Sequence, residues 1–418
     1  MKTKTTTDFD IAICGAGMVG ATLAALLRSD PVLRDLRVAL IETHFPAQAP
    51  GTEVDIRVSA ISRASQRILT HAGAWQLLPA AQRAPYGDMV VWDALSGADS
   101  REALRFSASS LGEPDLGHIV ANNCLQWAAL EAAANANERI TRFATELAGI
   151  TVDEDAARLS LTDGRHFSAR LVIGADGAHS VSRDCVGITT HARPYRQTAL
   201  VTHVRTEQPH RQTAWQRFLP QGPIAFLPLN DGRSSIVWTT TPEHAAELLQ
   251  LDETTLAAQI AAAGDHVLGA VEMAAQRAAF PLRLAQVDEY CRHRFVLVGD
   301  AAHSMHPLAG QGVNLGFMDI ASLVQVLSEA RQAGAAVDAL SELRVLRRYE
   351  RWRKTENSIA LGLVDALNRL FSNEQRSARA LRRTGLRLIQ QLPLVKRSLM
   401  LRALGMAGER PDMVTRAI

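Results

Sequence analysis

The sequence predicts an α/β fold: a mostly parallel sheet of strand–helix units, interrupted by an inserted antiparallel sheet and followed by a helical C-terminus. Three observations carry this expectation. FDIAICGAGMVGATLAALLRS reads as a buried strand, a glycine turn and a helix, because the apolar run Ile11 to Cys14 gives way to Gly15 and then to helix-favouring residues. Residues 195 to 241 change character: TALVTHVRT, TAWQRFLP, GPIAFLPL and SSIVWTTT are short strands bounded by Pro220, Gly222, Pro223 and the Asn230 to Gly232 turn. RFVLVGDAAH then returns to the strand-turn pattern of the beginning, so the first unit is discontinuous, built from segments on both sides of the inserted sheet.

The remaining elements follow in order. RVALIET is a second buried strand, LQWAALEAAANA is helical, and GITVDEDAARLSLTDG reads as a strand pair with a turn signal at Asp163-Gly164. LVIGADG is another buried strand ending in glycine, and from about Ala321 onward the chain reads as helix. No repeat or low-complexity linker divides it.

Composition bounds the class. The 418 residues, 47% hydrophobic and 21% charged, are long enough for two or three packed cores. A net charge of +2, from 45 basic and 43 acidic residues, gives no argument for nucleic acid as a partner. The four cysteines, Cys14, Cys124, Cys185 and Cys291, are far apart, with neither a CxxC nor a Cys/His cluster at metal spacing. No disulfide framework and no metal site is expected, and a reducing cytoplasm fits. No apolar run approaches the ~18 residues needed to span a bilayer, and the N-terminus lacks a signal-peptide core.

Three motifs carry chemistry. Gly15, Gly17 and Gly20 form GxGxxG between a strand and a helix, and Glu42 closes the next strand. The first glycine permits a tight turn, the second lets backbone approach a pyrophosphate, and the third allows close helix–strand packing. The helix N-terminus then faces the phosphates, and Glu42 is placed to bind a ribose hydroxyl. This motif alone does not separate NAD from FAD. LVIGADGAHSVSR ends a strand with Asp176 and Gly177 and follows with Ser180 and Arg183, a pattern that an Asp-Gly turn and a helix cap also explain. RFVLVGDAAHSMHPLAGQGVNLGFMD sets Asp300 at a strand end, then Pro307, Gly310, Gly312, Asn314 and Gly316 before a helix. A carboxylate there can accept from a ribityl hydroxyl. Amides freed by Gly312 and Asn314 at a helix start can stabilise negative charge on a reduced ring.

Taken together, GxGxxG, GADGAHSxxR and GDAAHxxHPLAGQGxNLGFMD resemble the flavoprotein aromatic hydroxylases of the para-hydroxybenzoate hydroxylase type, and within them the ubiquinone-biosynthesis monooxygenases. DIRVSAISRASQRIL, APYGDMVVWD, LGHIVANN, AFLPLNDGRSSIVWT, AFPLRL and RRYERWRKTEN extend the likeness over nearly the whole chain. SASSLGEPDLGHIV, VRTEQPH and NLGFMD tilt it toward the 2-polyprenylphenol 6-hydroxylases, which act beside the phenol hydroxyl. The resemblance implies a Rossmann-like FAD-binding domain over residues 1–75, 96–185 and 276–345, a substrate domain over 76–95 and 186–275, and a C-terminal helical region over 346–418. It also implies FAD as cofactor, with NAD(P)H or a separate electron donor as reductant, since no second GxGxxG is present. Molecular oxygen would be activated as a flavin hydroperoxide and attacked by a polyprenylphenol-type ring.

Residue by residue, the resemblance assigns Arg57 to the flavin diphosphate, Asn122 to the ribityl or adenosine part, Asp176 to FAD and the reductant, and Asp300 to the ribityl chain. Relatives often read Val-Glu-Asn where this chain has Val120-Ala121-Asn122, so any role of that glutamate is absent or filled elsewhere. Because the hard chemistry belongs to the cofactor, no catalytic triad is expected. The candidates for tuning the phenol are His303 and His306, with Pro307 beside them, although a histidine in such a loop is more often a structural hydrogen bonder. Alternatives within the same motifs are another ring position, a small soluble aromatic substrate, or an FAD-binding scaffold without turnover.

Residues 376 to 402 carry eight Lys or Arg and no acidic residue, interleaved with leucines. Such a segment can lie on an anionic inner-membrane surface, serve a ubiquinone-biosynthesis protein complex, or simply pack on the core with a solvated basic face.

Overall fold

A computed structural model describes residues 7–134, 139–304, 312–372 and 392–415. Its first sheet runs in the order 291–292, 295–297, 166–174, 9–14, 38–42, 140–144. From 295–297 to 140–144 every pairing is parallel. Neighbouring strands therefore come from the beginning, the middle and the region near residue 296, the discontinuity that the returning strand-turn pattern predicts. The expected strand pair is the hairpin Leu147–Val152 and Ala157–Leu161, and the Asp163-Gly164 turn joins it to His166–Gly174. Helices Met18–Ser29, Asn122–Ala134 and Gly312–Gln332 bury their apolar faces in the core built on this sheet. Strands buried on both faces read as continuous apolar runs, which is why IAIC, VALI and LVIG are legible.

The second sheet has nine strands, in the order 303–304, 278–287, 190–206, 234–240, 222–228, 213–219, 88–93, 104–107, with 271–273 also on 190–206. It is antiparallel except where Thr213–Leu219 runs parallel to Asp88–Asp93. One face carries Leu200, Val204, Ile224, Phe226, Ile236 and Trp238, covered by Leu248, Leu256 and Ile260 of two helices. Those helices start where side chains satisfy their first amides: Thr241 caps Pro242–Gln250 and Asp252 caps Glu253–Ala263. The opposite face, with Ala214, Ala225, Leu227 and Leu229, packs on Ala60, Ala84 and Ile119 of a small sheet, 58–62, 117–121 and 83–86.

The strands Leu104–Ser107 and Ala278–Val287 belong to this second sheet, although both fall in segments expected in the cofactor-binding part. Leu104–Ser107 folds back on Asp88–Asp93, and Ala278–Val287 pairs along most of the long strand Thr190–Thr206. Cross-strand register of this kind has no local signature, so a boundary drawn from motifs misses it.

Among the described residues the helical C-terminal expectation is met by Leu343–Ser372, Pro393–Ala403 and Asp412–Thr415; residues 373–391, which hold most of the basic segment, lie outside the described residues. Among the described residues no helix is long and apolar enough to cross a membrane, and no group of three or more His, Cys, Asp and Glu residues could hold a metal ion.

Candidate functional site

The three motifs meet through their glycines and one arginine. Gly15 has φ of +97°, and a Cβ there would lie 2.5 Å from the carbonyl oxygen of Ala175 in the second motif. A Cβ on Gly20 would lie 2.0 Å from the Gly15 oxygen, so helix Met18–Ser29 sits directly against the turn. Gly316 faces Val19 in the same way, its Cβ position 2.7 Å from a Val19 methyl, which draws helix Gly312–Gln332 onto the first helix. Arg183, buried, donates from Nη1 to the Ala301 oxygen at 3.2 Å and thereby ties the second motif to the third. Gly17 and Gly312 are different: among the described residues, apart from their chain neighbours and their own helices, no atom lies within 4 Å of a Cβ built on either. Both sit at the starts of helices, and Gly17 brings no side-chain cap to its helix. The N-terminus of Met18–Ser29 is thus left without a side-chain cap, and its amides are available to an anion.

Glu42 is bound to the turn itself. Its Oε2 accepts from the Ala16 amide at 2.8 Å and its Oε1 from the Thr43 amide at 2.9 Å, while Gln126 donates to the Ala16 oxygen at 2.9 Å. Asp176 accepts from the amide and hydroxyl of Ser182 at 2.8 and 2.9 Å, and from the Ser180 hydroxyl. Ser180 in turn caps helix Val181–Cys185 by accepting from the Arg183 amide. The carboxylate of the second motif is thus occupied in holding its own turn.

Around Asp300 the side chains converge from distant sequence. Asp300 is exposed to solvent, yet desolvation by the surrounding protein raises its carboxyl above the usual range, opposed by His303 and Arg57 and reinforced by Asp319. The Arg57 guanidinium lies over the Phe280 ring, 5.2 Å from its centre. The backbone amide of Asn122 donates to the Arg57 carbonyl oxygen at 2.9 Å, and its side-chain Oδ1 accepts from the Ser59 hydroxyl at 2.7 Å. Asn314 bonds strand Val58–Ser62, accepting from the Ser62 amide at 3.0 Å and donating to the Ala60 oxygen at 2.8 Å. Its side chain positions the strand that follows Arg57. A cavity of about 670 Å³ lies elsewhere, among Ile150, Cys185, Cys291 and Arg347; Phe295 of the third motif lines it, but none of the candidate cofactor-binding residues does.

His303 lies in the core rather than against open space. It is 2% exposed, and its Nε2 is 2.6 Å from Asp319 Oδ2. His306 and Pro307 lie outside the described residues. Asp319, fully buried, is the residue that motif reading passes over. Its Oδ2 also accepts from the Gly299 amide at 3.0 Å, and its Oδ1 accepts from Arg353 Nε at 2.9 Å and Asn357 Nδ2 at 3.0 Å. Arg353 donates further to Asn357 at 2.7 Å, and Tyr290 stacks on His303 with ring centres 5.9 Å apart. Burial pushes the Asp319 carboxyl up, but His303 and Arg353 outweigh it and hold it down at about 2. The hub locks the turn that presents Asp300 to the two helices behind it. One signal was available: Arg353 and Asn357, four apart in RRYERWRKTEN, share a helix face beside buried Tyr349.

A parallel sheet with glycine turns at its strand ends, an uncapped helix N-terminus at the first of them and a second, largely antiparallel sheet fit an FAD-binding oxidoreductase. The family model described as FAD binding domain matches residues 8–357. The Escherichia coli 3-demethoxyubiquinol 3-hydroxylase is 37% identical over 95% of this chain and 98% of its own length. The Rhodospirillum rubrum ubiquinone hydroxylase UbiL is 35% identical over 98% and 93%. Among solved structures, the Pseudomonas putida p-nitrophenol 4-monooxygenase PnpA superposes with a TM-score of 0.73 over 97% of this chain and all of its own, at 17% identity, which supports the fold alone. The chain belongs to the FAD-dependent monooxygenases of ubiquinone biosynthesis.

Proposed function

We propose that this enzyme hydroxylates the aromatic ring of a polyprenylated phenol on the route to ubiquinone, at the position beside the phenol hydroxyl. The observation that carries the reading is the meeting of the three motifs beside the uncapped N-terminus of Met18–Ser29, in a chain whose relatives bear the names of ubiquinone hydroxylases. The name of the Escherichia coli relative supports a second reading, hydroxylation of a later precursor at another ring carbon.

The residues fit FAD. The uncapped N-terminus of Met18–Ser29 and the free space over Gly17 suit a diphosphate, whose charge the helix end and Arg57 would balance. Glu42 keeps lone pairs beyond its two backbone bonds and would accept from a ribose hydroxyl. Asp300 and Asn122 would take the ribityl and adjoining hydroxyls. The first-turn amides after Gly312, with the Asn314 amide among them, would stabilise negative charge at the ring end. Asp176 would act by holding its turn, which brings Gly177, itself with no atom within 4 Å of a Cβ, to the cofactor. When bound, FAD supplies the reduction of molecular oxygen and its transfer to the ring. The protein contributes position, shielding from water and fixed dipoles.

The electrons would come from NAD(P)H docking transiently or from a separate donor. We divide the chain accordingly into a cofactor part around the parallel sheet, a substrate part around the nine-stranded sheet, and the C-terminal helices. The test is turnover of purified, FAD-loaded protein with a short-chain prenylphenol under isotopically heavy oxygen gas. Incorporation of one heavy oxygen atom into the ring is expected. Reductant consumption without labelled product from any prenylphenol would sink the substrate assignment.

A further inference from the structure

Helix Pro393–Ala403 buries one side and leaves an apolar cluster on the other. Met400 and Leu404 pack with Ala108 and Leu116, and with Phe106 and Met89 at the edge of the second sheet. The inward face is therefore already satisfied. Yet of the seven exposed large apolar side chains among the described residues, three stand within four positions here: Leu392, Leu394 and Val395. Leu394 is 83% exposed, more than any of the others. Scattered exposed leucines need no explanation, whereas a concentrated group marks a contact.

The charge beside this cluster is of one sign. Lys396, Arg397 and Arg402 follow it, and no acidic residue occurs between Leu392 and Gly408. A second copy of the same patch would bring cations against cations with no carboxylate of the patch to meet them, which argues against a symmetric contact between two chains. An anionic bilayer surface satisfies both features: the apolar side chains enter the acyl boundary and the cations meet lipid phosphates.

We propose that Leu392, Leu394 and Val395, backed by Arg397 and Arg402, form a membrane-docking wedge that seats the protein on anionic lipid beside the substrate sheet. The proposal rests on the reading of a polyprenylated substrate only for its purpose, since an apolar polyprenyl tail partitions into a bilayer, and its test needs no substrate and no turnover. FAD-loaded full-length protein is sedimented with vesicles of phosphatidylcholine, and with vesicles of phosphatidylcholine and phosphatidylglycerol. Binding to the anionic vesicles alone, weakened by salt, is expected. L394D/V395D should lower that partitioning by about tenfold or more while secondary structure and bound-flavin absorbance stay as in the wild type. Equal binding of the double variant, or no binding of the wild type, overturns the proposal. So does a dimer that the double variant dissociates in the absence of lipid, because the patch would then serve a second copy. Failure here with labelled product in the turnover experiment leaves the function standing and removes only the wedge.

Discussion

Replacing Asp319 with Asn tests the reasoning most severely on the protein side. The carboxylate accepts four hydrogen bonds, two on each oxygen, from Gly299 and His303 on one side and Arg353 and Asn357 on the other. An amide keeps one acceptor oxygen and turns the other position into a donor, so two of the four bonds are lost. The Arg353 guanidinium, 2% exposed, also loses its only charge partner among the described residues. Removing one member of such a buried pair costs about 3–5 kcal/mol, because the other charge is left desolvated. That is a large part of the ~5–15 kcal/mol that ordinarily separates folded from unfolded protein. D319N should therefore remain folded at low temperature but unfold at clearly lower urea. Because the hub fixes the turn bearing Asp300, FAD affinity should also fall, by about tenfold or more, which corresponds to ~1.4 kcal/mol. Equilibrium unfolding of the apoprotein and flavin fluorescence titration read the two effects separately. A loss below about 1 kcal/mol would show that the buried network is not the constraint described, since even one unsatisfied buried group costs that much.

Other expected outcomes follow from single contacts. G17D places a favourable cap on Met18–Ser29, where a Cβ meets nothing, so apoprotein stability should hold or rise slightly while FAD binding drops sharply through charge repulsion; thermal melting with and without FAD separates these. G20A, whose Cβ would sit 2.0 Å from the Gly15 oxygen, should lower stability and FAD content together, seen as poor yield and colourless protein. R57A should weaken FAD binding with little change in urea midpoint, because Arg57 is exposed and its ring contact with Phe280 is at the surface. The Asp319 carboxyl is depressed from 3.8 to about 2 in the folded protein, so the stability it contributes is complete above about pH 4 and is lost as pH falls towards 2. Acid titration of unfolding should be less steep for D319N in that window than for the wild type.

Much of this architecture is legible in the residues. The buried strands, the glycine turns and the antiparallel insertion each have a local signature, and Gly15, Gly20 and Gly316 sit where a side chain would strike backbone or a packed neighbour. What local reading misses is pairing at long range. Leu104–Ser107 and Ala278–Val287 joined the second sheet because of partners far along the chain. His303 reads as a loop histidine near the flavin motif, yet its environment is set by Asp319 and Tyr290, 16 positions after it and 13 before it. Glu42, Asp176 and Asn314 fall where the motifs put them, but their side chains first hold backbone, a role that motif spacing does not reveal.

The central claim is tested most directly by mass spectrometry of the quinone pool in a bacterial strain lacking its polyprenylphenol hydroxylase, with and without this chain. Restored ubiquinone together with loss of the accumulated polyprenylphenol is the expected result. A persistent block despite abundant FAD-loaded protein would contradict the proposed ring position and return the enzyme to another precursor or another aromatic.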